Sequence, residues 1–113
     1  IGRFSSPWLG LNFDIGHSYC VGEDPARVVP MLAPHIGHVH LEDIASTRVH
    51  HHMVPGTGAI DFEAVLVALA KAGYGRWVTI ELYPCIDNPD DSARRARAHV
   101  LPILERVESR AGA

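Results

Sequence analysis

The segment His38-Val39-His40-Leu41-Glu42 alternates an imidazole or carboxylate with an aliphatic side chain. Neighbouring residues of a β-strand point to opposite faces, so this segment is a strand with one apolar and one ionisable face. Two further stretches share the build. In Leu11-Asn12-Phe13-Asp14 the polar set is Asn12 and Asp14. In Val78-Thr79-Ile80-Glu81-Leu82-Tyr83 it is Thr79, Glu81 and Tyr83. A half-buried strand ordinarily carries Ser, Thr or Lys on its wet face. Asp, His and Glu are instead oxygen and nitrogen ligands for a divalent cation.

Helical patterns separate these strands, which are expected over residues 9–14, 36–42 and 77–83. A turn is expected around Gly16–Gly22. A short helix then starts with Asp24 as N-cap and Pro25 at its first position, bent or shortened by Pro30. Asp61 caps the next helix, with Phe62, Val65, Leu66 and Leu69 on one stripe and Gly73 as the stop. The last helix is expected from near Ser92 towards Val107, with Ala96, Val100, Leu104 and Val107 as its apolar stripe. Asp90 and Asp91 stand just ahead of it, and Pro102 should kink it. Strand, helix, strand, helix argues an α/β fold with a parallel sheet.

The totals limit the function classes. The chain has 113 residues and a net charge of −3, enough for one small domain and without general attraction to nucleic acid or anionic membrane. Arg94, Arg95 and Arg97 sit among acids as a solvated helix face. No apolar stretch approaches the ~20 residues that span a bilayer. Cys20 and Cys85 form no C-x-x-C pair, which favours a reducing compartment, the cytoplasm, over a disulfide framework. The first residues, Ile1-Gly2-Arg3, are consistent with a piece of a longer chain. Histidine is the outlier, with eight copies, most of them between His17 and His52.

Asp14, His40 and Glu81 each fall near the C-terminal end of a strand, where parallel α/β folds place ligands. His17 follows Asp14 at the start of a turn and can reach over the same mouth. Two carboxylates and an imidazole suit Mn²⁺, Mg²⁺, Co²⁺ or Zn²⁺. Each residue also has a plainer reading. Asp14 could cap a turn, and His40 could be a hydrogen-bonded core histidine. Glu81, flanked by Ile80 and Leu82 in what reads as a central strand, needs a strong partner to stay ionised. His50, His51 and His52 lie in a loop from Asp43 to Gly58, long enough to be functional or disordered, and could simply be solvated. Gly56 and Gly58 serve backbone geometry; Glu42 and Asp43 are helpers of the site or a solvated strand end.

On Asn12–His17, Gly37–Asp43, Pro55–Phe62 and Val78–Leu82, the chain resembles the C-terminal part of the xylose isomerase-like TIM barrels. That superfamily holds sugar and sugar-phosphate isomerases and epimerases together with endonuclease IV-type enzymes. The resemblance implies a single partial domain over 1–113, its strands matching six to eight of the barrel, which stays incomplete in this chain. It puts Asp14, His40 and Glu81 on metal-ligand positions, Glu81 also on an acid/base position, and His17 on a substrate-contacting one. His52, His50 and Glu42 are possible additional metal or substrate residues. The nuclease branch has an acid where His50 stands, and its further ligands, like another ligand glutamate, come from strands lacking here.

The function so implied is that of a metal-dependent sugar or polyol isomerase or epimerase, working by proton transfer beside a carbonyl through an enediolate. The missing N-terminal half of the barrel is the implied partner, with a homo-oligomer possible. Alternatives are an endonuclease IV-like zinc phosphodiesterase and an inactive fragment or binding module.

Overall fold

The computed structural model describes residues 3, 4 and 6–112. Strands β1 (Leu11–Asp14), β2 (Ile36–Leu41) and β3 (Val78–Ile80) form a three-stranded parallel sheet in that order. The sheet is open, so the α/β expectation holds and the barrel is incomplete. Among the described residues β2 is the middle strand, so Glu81 follows an edge strand and not a central one.

Among the described residues four α-helices accompany the strands: α1 (Ile15–Cys20), α2 (Pro25–Leu32), α3 (Phe62–Lys71) and α4 (Pro89–Ala111). α2 packs on α3 and α3 on α4. The apolar strand face, with Phe13, Val39 and Leu41, is buried with Ile15, Val29, Phe62, Val65, Leu66, Leu69 and Val100 from the helices. Burying each large aliphatic or aromatic side chain contributes about 1.5–3 kcal/mol, which holds the helical layer to the sheet. Among the described residues no strand pairs with the outer edges of β1 and β3. Trp8 is 94% exposed just before β1 and Trp77 is 83% exposed just before β3.

Local signals explain the helix starts. Asp24 accepts from Ala26 N at 3.1 Å with Pro25 next, and Asp61 accepts from Ala64 N at 2.9 Å. α2 continues through Pro30 to Leu32 and tightens into a 3-10 turn over Ala33–His35. Gly73, just past α3, takes φ +75°, a left-handed conformation that favours glycine.

Several sequence expectations need correction. The stretch expected as a turn after β1 begins with helix α1, because Asp14 accepts from His17 N at 2.8 Å and starts it at the strand end. β3 ends at Ile80, although Glu81 N still donates to Leu41 O at 3.0 Å. α4 starts at Pro89, not near Ser92, because Asn88 accepts from Asp91 N and Pro89 fits the first helical position. Asp90 and Asp91 therefore lie inside its first turn. Its stripe is Ala96, Val100, Ile103 and Val107; Leu104 is only half-buried. The helix runs through Pro102, which sits on its exposed face, where water can satisfy the carbonyl that proline leaves unpaired.

Candidate metal centre

Strand register builds the site. Asn12 pairs with His38, Asp14 with His40, and His40 with Thr79, so the polar residues of three strands lie side by side. The lower row is tied by His38 Nε2 and Thr79 Oγ1, 2.9 Å apart. Above it, ligand atoms of Asp14, His40 and Glu81 all lie within 4.8 Å of one another. His40 Nδ1 is 3.2 Å from Glu81 Oε2, and both side chains are partly open to solvent.

Asp14 caps a helix, as its plainer reading expected, and also faces the candidate site. Oδ1 caps α1, while Oδ2 lies 3.7 Å from the exposed His17 ring. Burial works against its charge, but a hydrogen bond with Glu42, the His17 N–H and the His17 and His52 rings outweigh burial and lower its pKa.

Glu42 is fully buried at the same mouth. As a carboxylate, neither of its oxygens has a hydrogen-bond donor. Burial, then the adjacent Asp14 carboxyl, pushes its pKa up to about 9. A neutral Glu42 can donate its proton to Asp14. A β-carbon added to Gly16 would meet Glu42 Oε1 at 1.9 Å, so the missing side chain leaves the carboxyl its space.

The loop after β2 is ordered. Asp43 and Met53 exchange backbone hydrogen bonds of 3.0 and 2.8 Å. The Asp43 carboxylate, 1% exposed, accepts from Ile44 N, Gly56 N, Gly58 N and Ile60 N at 2.8–3.1 Å. Asp43 is thus neither a solvated strand end nor part of the ligand group; it fastens the loop. Sequence reasoning missed this because most of the donors lie more than a dozen residues away. The signal was an acid at a strand end followed by the Pro55-Gly56-Thr57-Gly58 turn.

The fastened loop divides the histidine run. His51 points to solvent. His52 is 2% exposed, with Nδ1 3.2 Å from Glu81 O and its ring edge-on to Tyr83 at 4.5 Å. Burial is the main reason its pKa is lowered, which keeps the ring neutral and able to ligate. His50 Nε2 is 3.0 Å from His52 Nε2. Ligand atoms of His17, His50 and His52 form a second group within 4.8 Å, and those of Glu42, His52 and Glu81 a third. Cys20 and Cys85 are free thiols outside these groups.

The donor set fits a divalent cation. One imidazole and two carboxylates converge from three strand ends, and a further carboxyl without a donor lies behind them. Among the described residues, no helix is long and apolar enough to cross a membrane.

A family model described as xylose isomerase-like TIM barrel matches residues 1–103. An inosose dehydratase of Clostridium beijerinckii is 33% identical over 108 residues, covering 80% of this chain and 36% of that protein. One from Geobacillus thermodenitrificans is 34% identical over 110 residues, covering 81% of this chain and 37% of its own. The solved structure of an L-ribulose 3-epimerase superposes with a TM-score of 0.76 at 24% identity, over 99% of this chain and 41% of the epimerase. This chain therefore spans little more than a third of the length of the curated relatives it matches.

Proposed function

The chain belongs to the xylose isomerase-like TIM barrel family, and from that premise we propose that it is the C-terminal portion of a divalent-metal-dependent enzyme that moves a proton beside the carbonyl of a sugar or related polyol. The observation that carries this reading is the convergence of Asp14, His40 and Glu81 within 4.8 Å at the carboxyl ends of adjacent parallel strands.

In this reading Asp14, His40 and Glu81 hold the cation. Bound there, it would polarise the substrate's carbonyl and neighbouring hydroxyl oxygens and acidify the C–H of the hydroxyl-bearing carbon next to the carbonyl. Glu81, with 37% of its side chain exposed, faces the open mouth and serves as the base. The C–H bond breaks, the proton goes to the Glu81 carboxylate, and the electron pair moves towards the carbonyl to give an enediolate. Return of the proton to a different carbon is isomerisation, and its return to the other face is epimerisation. Loss of a neighbouring hydroxyl as water is dehydration. An epimerase and a dehydratase can therefore share the first step. His17, 60% exposed over the same mouth, is suited to hold a substrate hydroxyl.

The opposing acid and a further carboxylate ligand are assigned to the remainder of the barrel. The 113-residue chain by itself is expected to bind a cation weakly and to turn over nothing. Its two free cysteines fit a reducing cytoplasm. The test is Mn²⁺ binding by equilibrium dialysis. Asp14→Asn, His40→Gln and Glu81→Gln should each weaken it at least about tenfold, as loss of a ligand requires. Unchanged binding in any two of them refutes the centre, and isomerase turnover by the chain alone refutes the need for a second half. The neighbouring imidazoles of His17, His50 and His52 favour a second reading, a zinc phosphodiesterase. Three tightly held zinc ions in the whole protein would decide for it; one or two decide against it.

A further inference from the structure

We propose that Glu42, His52 and Glu81 form a second cation site, adjoining the first through the shared carboxylate of Glu81. The inference rests on the metal reading above and extends it to residues that reading does not use. Three observations carry it.

The first is convergence: a ligand atom from each of the three residues lies within 4.8 Å of the others. The second is the state of Glu42. Its side chain is fully buried and, in the carboxylate form, neither oxygen has a donor among the described residues, whereas a buried carboxylate is normally paired or hydrogen-bonded. The carboxyl is packed into the space that Gly16 leaves open. The third is the charge around it. Asp14, Glu42 and Glu81 bring three carboxyls to one mouth. Among the described residues the arginine ion pairs go instead to Glu63, Asp90 and Asp91. A cation is the partner that relieves this concentration of acids. The buried imidazole of His52 in the donor set favours Mn²⁺, Co²⁺ or Zn²⁺ over Mg²⁺ or Ca²⁺.

Glu81 belongs to both ligand groups, so its carboxylate would adjoin both ions while keeping an oxygen free to act as the base, an arrangement of the kind used where two metals act on one substrate. Glu42 is then a ligand specific to the second ion, and Asp14 and His40 are specific to the first.

The test is titration of the chain with Mn²⁺, with bound metal counted by equilibrium dialysis against saturating free Mn²⁺ and spin coupling read by electron paramagnetic resonance in the same buffer. The expected result is two ions per chain with an exchange-coupled spectrum. Glu42→Gln, which keeps the shape and removes the charge, should leave one ion and an uncoupled spectrum, with folding checked by circular dichroism. If that variant does not fold, the wild-type spectrum decides: two ions without coupling overturn the proposal. A single ion lost in His40→Gln and kept in Glu42→Gln overturns the second site and leaves the first standing. A single ion lost in Glu42→Gln but kept in His40→Gln supports the site and removes the reading on which the function rests. A second ion that survives Glu42→Gln and disappears in His50→Gln lies on the imidazoles and overturns the proposal. No bound ion overturns both.

Discussion

Replacing Asp43 with Asn should cost the chain a large part of its stability, although the two side chains have nearly the same shape. Oδ1 accepts from Ile44 N at 3.0 Å and Ile60 N at 3.1 Å; Oδ2 accepts from Gly56 N at 2.9 Å and Gly58 N at 2.8 Å. Asn keeps one acceptor oxygen and places an NH₂ against the other pair of N–H groups. Whichever way the amide turns, two charge-assisted hydrogen bonds become donor-against-donor contacts in a site that is 1% exposed. At about 1.5–3 kcal/mol for each bond to a charged group, the loss is roughly 3–6 kcal/mol. A domain of this kind has only about 5–15 kcal/mol in total. Urea unfolding followed by circular dichroism measures the change, and limited proteolysis reports whether residues 43–60 open first. Asp61→Asn is the control, because that exposed cap accepts only from Ala64 N and should cost about 1 kcal/mol or less. An Asp43→Asn loss below about 1 kcal/mol, or no greater than the control, would falsify the claim that this carboxylate holds the loop.

Three other outcomes are expected. Gly16→Ala should destabilise by about 1–3 kcal/mol despite alanine's better helix propensity, because its β-carbon would lie 1.9 Å from the buried Glu42 Oε1. In a Glu42→Ala background the same change should cost much less, and a double-mutant cycle by urea unfolding checks the coupling. Glu63, on the surface of α3, is hydrogen-bonded and paired with Arg106 at 2.9 Å and Arg110 at 3.0 Å, which lowers its pKa. Its contribution is therefore complete at neutral pH and lost as pH falls through the lowered value; the unfolding midpoints of wild type and Glu63→Gln should converge in acid and in high salt. Finally, the free edges of β1 and β3 and the exposed Trp8 and Trp77 should make the chain self-associate. Sedimentation showing a monomer up to high concentration would contradict this.

The strands and most of the site were legible because their signals are local. Period-two alternation marks Leu11–Asp14 and His38–Glu42 without knowledge of any partner, and the Asp24-Pro25 pair and Asp61 announce their helices within a turn. What was not legible depends on contacts across the chain or on competing local choices. α1 carries Gly16 and Ser18, poor helix formers, and it starts because Asp14 turns one oxygen back onto His17 N. Residues 81–83 alternate like a strand, yet β3 ends at Ile80. The contrast between the buried His52 and the exposed His50 and His51 could not be read from three identical residues; His52 lies next to Met53, which the loop holds in a bridge to Asp43.

Glu42 and Asp43 show why burial alone does not identify a functional acid. They are consecutive, both buried, and both lie at the end of β2. Asp43 points towards the loop and meets four backbone N–H groups, so its charge is offset within the fold and its place is structural. Glu42 points to the opposite face, towards Asp14 and the strand mouths, and finds no donor. A fold that needed only to bury volume there could have used a leucine or methionine without the desolvation cost of an unpaired carboxyl. The difference between the two acids is therefore satisfaction, not exposure. It directs the search for function to the one whose charge, once ionised, the protein's own donors leave unmet.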